Sequence, residues 1–459
     1  MSGDALWMEF EYPVSAAQPS LEPSTAGWGP AADRRPLPRT AAREPVRSPA
    51  AAEVVLPRVG LCALLAGTAR LDPARLAFSD AAPKRGWSDR PPMTWTYGTA
   101  AEIVGRLGRA LRTWRLPPGS RIGLWFPGST EGLVAHLAVE AAGHVPCPLP
   151  ASWTEAQAAA GIQAAGLSAV LTQTHVGAGR PAEAMCRIAA GYFGLRYLAA
   201  FGPAVPDGVI NLDALALDRA GGAVALPETG GGLVSFVAGD PARPVHRTGD
   251  ALLAAVAAHL VSARIEPGDR ILTLLPPSDL RGIVTGLGAA LAVGADLETM
   301  PVFDGGALIE SLAHPRPTHL VAPAFLEGAL DALPATTLRS VVLARRAPGP
   351  VPPPGPDPAR PVLDVLAFDE DAILSVRRKG PGLAGALTEP GHRALPPSLP
   401  PALFELRREP DGRLAFRGQA CATALVQRGE AGASEADEFR ASRFRVDRFA
   451  GTGIAVTEA

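Results

Sequence analysis

Pro118-Gly-Ser-Arg-Ile-Gly-Leu-Trp-Phe-Pro-Gly128 has a similar counterpart later in the chain, Pro267-Gly-Asp-Arg-Ile-Leu-Thr-Leu-Leu-Pro-Pro277. Each stretch places an apolar run between a Pro-Gly turn and a second turn, which predicts a short buried β-strand. Helical patterns follow at 131–142 and 281–293, and each leads into another apolar run. Short apolar strands that alternate with helices are typical of parallel sheets with helices on both faces. The sequence therefore predicts two similar α/β lobes.

The two ends of the chain differ from this duplicated centre. Residues 16–52 are rich in Pro, Ala, Ser and Arg without an apolar period, which predicts a disordered leader. A proline-rich connection begins at Pro348, and Asp411-Gly412 lies between alternating apolar residues, which predicts a β-hairpin. The predicted organisation is a leader over 1–53, a first α/β lobe over 54–225, a second over 226–375 and a small β lobe over 376–459.

Composition excludes several classes of function. The chain of 459 residues is 47% hydrophobic and 19% charged with a formal net charge of −2, so nothing indicates nucleic acid or a membrane surface as a partner. Met1–Phe10 lacks the basic flank of a secretory signal, and we expect no membrane span. The four cysteines lie far apart without metal-ligand spacing, as expected of reduced thiols. These features predict a cytoplasmic protein.

Three segments, in this order, resemble the large N-terminal domain of the AMP-forming acyl-adenylate synthetases, the superfamily of acyl-CoA ligases and adenylation domains. The resemblance extends over about Leu61 to Gly453. It depends on Thr94-Trp-Thr-Tyr-Gly-Thr-Ala-Ala-Glu102 with the strand from Arg121, on the second strand series up to residue 326, and on Asp411-Gly-Arg-Leu-Ala-Phe-Arg-Gly418. The fold that it implies has two flavodoxin-like, doubly wound α/β lobes and a small β-barrel-like lobe.

The resemblance also implies a reaction and its participants. Members of this superfamily activate a carboxylic or fatty acid with ATP and Mg²⁺ to an acyl-adenylate. They then transfer the acyl group to coenzyme A or to a carrier-protein thiol. The cofactors implied for this chain are therefore ATP or AMP and Mg²⁺, if nucleotide binding is retained.

The superfamily's phosphate loop corresponds to Ser235-Phe-Val-Ala-Gly-Asp-Pro-Ala-Arg243. Such a loop binds phosphates through backbone N–H groups, hydroxyls and a cation. Ser235, Gly239 and Arg243 match that role as candidate nucleotide-binding residues, whereas Phe236 and Asp240 depart from it by adding bulk and negative charge. An ordinary turn with a solvated arginine is the alternative explanation of this stretch.

A second superfamily element is an aromatic turn that ends in Thr-Glu, whose glutamate helps to hold Mg²⁺. Here the turn is Ala367-Phe-Asp-Glu-Asp371, so Glu370 matches the glutamate and Asp369 stands in place of the threonine. Carboxylates suit a hard cation. We therefore predict Asp369 and Glu370 at the nucleotide and Glu370 at the metal, with an acidic solvated turn as the alternative.

Two further elements of the superfamily are missing from the pattern. The Thr-Gly-Asp that binds the ribose is not found between Asp437 and Gly453, where Asp447 is a poor substitute. The only lysines are Lys84 and Lys379, so the lysine of the superfamily's mobile C-terminal domain has no counterpart. The resemblance thus leads us to expect that this domain is absent and that a partner protein would supply it. No catalytic residue is assigned.

Two hypotheses follow. The chain is either a diverged AMP-forming acid:thiol ligase that is impaired or depends on a partner, or a non-catalytic adenylation-like scaffold or regulatory binding protein. A third class, an unrelated dinucleotide-binding enzyme, would need a Gly-x-Gly-x-x-Gly loop that opens the helix of a βαβ unit. The stretch with this spacing, Gly380-Pro-Gly-Leu-Ala-Gly385, leads into the proline-rich residues 390–401 instead, which argues against such a unit.

Overall fold

The computed structural model describes residues 60–218, 231–330, 338–388, 392–393, 403–421, 423–426, 438–448 and 453–459. The predicted leader over 1–53 lies outside these residues. The described chain begins with α1 (Leu61–Leu71), β1 (Leu76–Asp80), β2 (Thr94–Thr96) and α2 (Tyr97–Arg112). Helix α1 has no side-chain cap of its own. Instead, the buried Glu140 carboxylate accepts hydrogen bonds from the Leu61 and Cys62 amides, which satisfies two amides of the first turn.

The first lobe contains a parallel five-stranded sheet. Its strands and helices alternate along the chain as β3 (Arg121–Trp125), α3 (Thr130–Ala141), β4 (Val145–Pro148), α4 (Glu155–Ala165), β5 (Ala169–Gln173), α5 (Pro181–Gly191), β6 (Tyr197–Phe201), β7 (Ile210–Asn211) and α6 (Leu212–Leu217). The spatial order is β4-β3-β5-β6-β7, which is the flavodoxin-like order 2-1-3-4-5.

The second lobe begins with a β-hairpin and a helix, β8 (Leu233–Phe236), β9 (Pro244–Arg247) and α7 (Gly249–Ala263). The following elements build or cover its sheet: β10 (Arg270–Thr273), α8 (Leu280–Gly282), a π-helical segment (Ile283–Gly288), α9 (Ala289–Val293), β11 (Asp296–Thr299), α10 (Gly305–Leu312), β12 (Thr318–Pro323), α11 (Glu327–Leu330), β13 (Leu338–Arg346), β14 (Gly349–Val351), β15 (Val362–Phe368), β16 (Ala372–Arg377) and α12 (Gly382–Thr388).

The sheet of the second lobe has eight strands in the order β16-β15-β13-β12-β10-β11-β1-β2. Its parallel strands β11, β10, β12, β13 and β15 repeat the 2-1-3-4-5 order of the first lobe, with β16 antiparallel at one edge. Strands β1 and β2, which precede the first lobe in sequence, complete the other edge. The prediction of two flavodoxin-like lobes is confirmed, while the exact domain boundaries stay a prediction.

The duplicated Pro-Gly-x-Arg-Ile stretch has the same structural role in both lobes. Gly119 and Gly268 have positive φ angles of 74° and 85°, and each turn closes with a hydrogen bond of 3.1 Å from the amide after the glycine. Proline followed by glycine at positive φ is the sequence that a type II turn requires. Arg121 then donates to the Ala165 carbonyl and Arg270 to the Ser311 carbonyl. Each arginine therefore caps the end of a covering helix.

The small lobe contains the remaining strands: β17 (His392–Arg393), β18 (Glu405–Arg408), β19 (Arg413–Arg417), β20 (Thr423–Leu425), β21 (Arg440–Arg448) and β22 (Ile454–Glu458). Strands β18 and β19 form the hairpin predicted at Asp411-Gly412, with Gly412 at a φ of 87°. Five of these strands and β14 make a six-stranded sheet in the order β14-β22-β21-β19-β18-β17. Strand β20 instead pairs with β9, so the small lobe is joined to the β8–β9 hairpin.

The sequence predicts no membrane span. Within the described ranges, every helix is too short or too polar to cross a bilayer.

Candidate functional site

The predicted phosphate loop is the connection between β8 and β9. Four of its amides donate within the loop itself: Val237 to the Arg243 carbonyl at 3.1 Å, Asp240 to the Val237 carbonyl at 2.8 Å, Arg243 to the Asp240 carbonyl at 3.1 Å, and Ala242 to the Asp240 carboxylate at 2.9 Å. A phosphate cradle needs N–H groups that point outward without a partner. These four amides are therefore not available to a phosphate in this conformation.

The loop is also fixed by packing against α4 of the first lobe. Trp153 donates its indole N–H to the Gly239 carbonyl at 2.9 Å, and its ring meets the buried Phe236 ring edge to face at 4.7 Å. Gly161 allows this contact because a Cβ there would lie 2.5 Å from the Trp153 ring. The large side chain of Phe236 is therefore packed in the apolar core between the two lobes. The Arg243 side chain is exposed beside it.

Glu370 lies at the centre of the candidate site and is hydrogen-bonded to Ser235, another residue predicted from the sequence to bind nucleotide. The Ser235 hydroxyl donates to Glu370 Oε2 at 2.7 Å, although the two residues are 135 positions apart. The Leu280 amide donates to the same oxygen at 3.0 Å, and Arg346 Nη2 lies 3.5 Å from Oε1. Glu370 is 1% exposed. The structure therefore brings Ser235 and Glu370 together at the carboxyl end of the second sheet.

A second carboxylate and two arginines surround Glu370. Asp279 caps α8 through the Arg281 and Gly282 amides, and its Oδ2 contacts Arg281 at 2.6 Å and Arg346 at 2.9 Å. Burial alone would raise the pKa of Asp279, but the two guanidinium groups hold this pKa below its ordinary value. Burial and then the Asp279 charge raise the pKa of Glu370 to about 7.

Arginines also fix the backbone of the turn that carries Glu370. Arg247, fully buried in β9, donates to the Glu370 carbonyl at 2.8 Å and to the Asp371 carbonyl at 3.1 Å. Asp369 has a φ of 52°, which is rare for a residue other than glycine, and its carboxylate accepts a hydrogen bond of 2.7 Å from Arg443 Nε. The turn is thus held from both the second lobe and the small lobe.

The residues around Glu370 suit a closed hydrogen-bond network better than a divalent cation. Mg²⁺ prefers several oxygen ligands and retains bound water, whereas Glu370 is buried and a guanidinium lies beside its Oε1. Within the part of the chain that the structure describes, no group of three or more His, Cys, Asp or Glu is arranged to hold a metal. The assignment of a metal to Glu370 stays a prediction.

Asp447, considered from the sequence as a substitute for the ribose-binding aspartate, lies on β21. It accepts hydrogen bonds from the Thr457 hydroxyl at 2.5 Å and from Arg445 at 2.8 Å. These contacts belong to the surface of the six-stranded sheet.

The two lobes meet closely where their strands end. Gly128, after β3 of the first lobe, would place a Cβ 2.8 Å from the ring of Pro277, which follows β10 of the second lobe. The cavity at this junction has a volume of only about 20 Å³ and is lined by His136, Phe126 and Ser278 among others. It therefore has room for about one water molecule. Burial lowers the pKa of His136 to about 4, so this imidazole is neutral.

Sequence comparison finds a family match for one segment of the chain. Residues 67–192, which run from α1 to α5, match the family described as AMP-binding enzyme. Comparison with curated proteins found no match.

Structural comparison extends the likeness beyond this segment. Apo MbtA from Mycobacterium smegmatis superposes with a TM-score of 0.62 at 20% identity, covering 87% of this chain and 76% of its own. ATP-bound MatB from Rhodopseudomonas palustris gives 0.63 at 18%, covering 87% and 79%. The N-terminal domain of FACL13 from Mycobacterium tuberculosis gives 0.61 at 15%, covering 87% and 99%. The chain therefore has the fold of the large N-terminal domain of acyl-adenylate synthetases.

Sequence reasoning missed four residues that build the site: Arg247, Asp279, Arg346 and Arg443. Asp279 had a local signal, because an aspartate that directly precedes a helical pattern is a typical N-cap. The three arginines had none, since arginine is abundant throughout this chain. Their role depends on a fold that brings β9, β13 and β21 to one turn.

Proposed function

We propose that this chain is a diverged AMP-forming acid:thiol ligase-like protein whose adenylation chemistry is impaired when the chain acts by itself. The AMP-binding family segment and the large-domain fold support the reaction class. The reaction would join an organic or fatty acid to AMP from ATP, release pyrophosphate, and pass the acyl group to coenzyme A or a carrier-protein thiol. The observation that supports impairment is the buried Glu370 carboxylate, which already accepts hydrogen bonds from Ser235 and Leu280.

The hydrogen bonds within the loop between β8 and β9 also support impaired adenylation. The amides of Val237, Asp240, Ala242 and Arg243 could bind a triphosphate only after releasing the loop oxygens to which they now donate. Each exchanged hydrogen bond is worth about 0.5–1.5 kcal/mol, so the opening of several together would oppose binding appreciably. The Asp240 carboxylate would add repulsion. Weak nucleotide binding is therefore the expected starting point for any chemistry.

Pyrophosphate exchange tests the proposal directly. The purified protein should show no ATP-pyrophosphate exchange above the blank with octanoate, benzoate or malonate, because transition-state charge would lack oriented donors. The loss of one such donor typically lowers a rate by about 10²–10³. The anthranilate CoA ligase AuaEII, assayed with anthranilate, is the positive control. Robust exchange that Glu370→Ala abolishes would refute impairment and make the chain an active ligase.

Arg243 provides a separate prediction for nucleotide binding. If the loop opens to ATP, the Arg243 guanidinium is the exposed cation at its end, and Arg243→Ala should weaken ATP–Mg²⁺ binding by about 1–3 kcal/mol, as for other charged hydrogen bonds. Isothermal titration measures the change. Arg196→Ala, an exposed arginine of the first lobe, is the matched control and should bind as the wild type does. Equal affinities for all three proteins would remove Arg243 from the site.

The second candidate is a non-catalytic adenylation-like protein that serves as a scaffold or regulator. The closed turn favours it, because hydrogen bonds from Arg247, Arg443, Ser235 and Leu280 all hold the Glu370 segment in place. Titration with AMP and with ATP–Mg²⁺ distinguishes the two candidates. Binding of either nucleotide supports the ligase-like protein, and binding of neither supports the scaffold.

A further inference from the structure

A large cavity lies on the opposite face of the second sheet from α7 and the site of Glu370. It has a volume of about 710 Å³, is partly open to solvent and is bordered by β13, β15, α11 and the proline-rich connection over 350–360. Small-molecule sites in proteins typically measure about 300–1,000 Å³. The size of this cavity therefore fits an organic ligand, unlike the water-sized cavity between the lobes.

The side chains of β13 alternate between the two faces of the sheet, and this cavity and the site of Glu370 lie on opposite faces. Val341, Leu343 and Arg345 line the cavity, whereas Val342 and Ala344 pack in the core on the α7 side and Arg346 reaches Glu370. Successive side chains of a strand point to opposite faces of the sheet. A ligand in the cavity would thus contact β13 without entering the nucleotide or acyl region of the other face.

Most of the cavity wall is apolar. The side chains that line it include the buried Leu330, Val341, Leu343 and Val351, together with prolines of the connection. Such walls favour an apolar ligand body, at about 25 cal/mol for each Å² of apolar surface removed from water.

One corner of the cavity is charged and already fixed in position. Arg378 donates to Asp364 through Nε at 2.9 Å and Nη2 at 2.7 Å, and it also contacts Glu327. Arg345 Nη2 donates to Glu327 at 2.9 Å. Arg345 Nε lies 3.5 Å from Asp364. The charged residues that line the cavity are Arg345, Arg360, Arg378 and Glu327, so three guanidinium groups face one carboxylate. This excess of positive charge at the edge of an apolar cavity is suited to an anionic group.

We propose that this cavity binds an amphipathic carboxylate, with the carboxylate at Arg345 and the hydrocarbon body along Val341, Leu343 and Val351. The site is separate from the proposed function and does not depend on it. The Glu327 carboxylate shares the Arg345 guanidinium, so it competes with the ligand for positive charge. Arg345 therefore determines the preference for an anion, and Glu327 limits the affinity.

Titration calorimetry with octanoate tests the proposal. Octanoate should bind, octan-1-ol should bind at least about tenfold more weakly, and acetate should not bind detectably, since each lacks one of the two contacts. Arg345→Met should weaken octanoate binding by about tenfold. Glu327→Gln should strengthen it, which a merely structural ion pair does not predict. Arg196→Met, an exposed arginine elsewhere, is the control.

Two variants that fill the cavity locate the binding. Leu343→Trp should abolish octanoate binding, and Ala359→Trp, on the exposed connection, gives the same test without a change in the core. Circular dichroism confirms folding of each variant. Octanoate affinity that stays unchanged in a folded cavity-filling variant and in Arg345→Met would place binding elsewhere and overturn the proposal, as would the absence of octanoate binding to the wild type.

Discussion

Replacement of Lys84 by methionine is expected to destabilise the protein by about 3–5 kcal/mol. Lys84 is 1% exposed, and its ammonium group lies 2.6 Å from both the Asp80 and Glu131 carboxylates. Methionine would keep the volume of the side chain and remove its charge. Two buried carboxylates would then lose their shared cation, a change that typically costs this much. The free energy of unfolding in urea, followed by circular dichroism, measures the effect.

The geometry around Lys84 explains why the effect should be large. Asp80, at the end of β1, also accepts hydrogen bonds from the Thr130 amide and hydroxyl, and so caps α3. Arg90 extends the network from Glu131 to Asp213. The network therefore joins the edge of the eight-stranded sheet to the first helix of the other lobe. Loss of Lys84 would weaken this junction as well as leave charge uncompensated.

The other lysine of the chain provides a matched control. Lys379 is exposed at the end of β16, so Lys379→Met should change the stability by no more than about 0.5 kcal/mol. If the two lysine variants are equally stable, Lys84 does not hold the junction between the lobes.

The fold could be predicted because its signal is local and repeated. In Pro-Gly-x-Arg-Ile, the glycine allows the turn, the isoleucine enters the core, and the arginine caps a neighbouring helix. Each role needs only residues close in sequence or a regular α/β layout. The position of β1 and β2 could not be predicted, because they join a sheet whose other strands begin at Arg270.

The candidate site could be predicted only in part. Ser235 and Glu370 were found through their place in superfamily motifs, and the structure joins them by a hydrogen bond. The consequences of the substituted residues were harder to foresee. Phe236 has a partner in Trp153 of the other lobe, and Asp240 accepts from amides of its own loop. These contacts depend on tertiary packing, which motif comparison does not describe.

Burial of Glu370 leads to a prediction about pH. The pKa of this carboxyl is raised from 4.5 to about 7 in the folded protein, first by burial and then by the Asp279 charge. A folded-state pKa above the unfolded value stabilises the protein below about pH 4.5, and this contribution is lost as pH rises through 7. Each pKa unit corresponds to about 1.36 kcal/mol, so the total is about 3 kcal/mol.

Glu370→Gln should remove this dependence, because glutamine keeps the shape of the protonated acid and does not ionise. The stability of the wild type relative to Glu370→Gln should therefore fall by about 3 kcal/mol between pH 4.5 and pH 8, measured by urea unfolding at several pH values. Ser235→Ala should make the fall larger, since the Ser235 hydroxyl stabilises the ionised form. A stability difference that stays constant across this range would show that Glu370 does not titrate there, and that the turn accommodates its charge without cost.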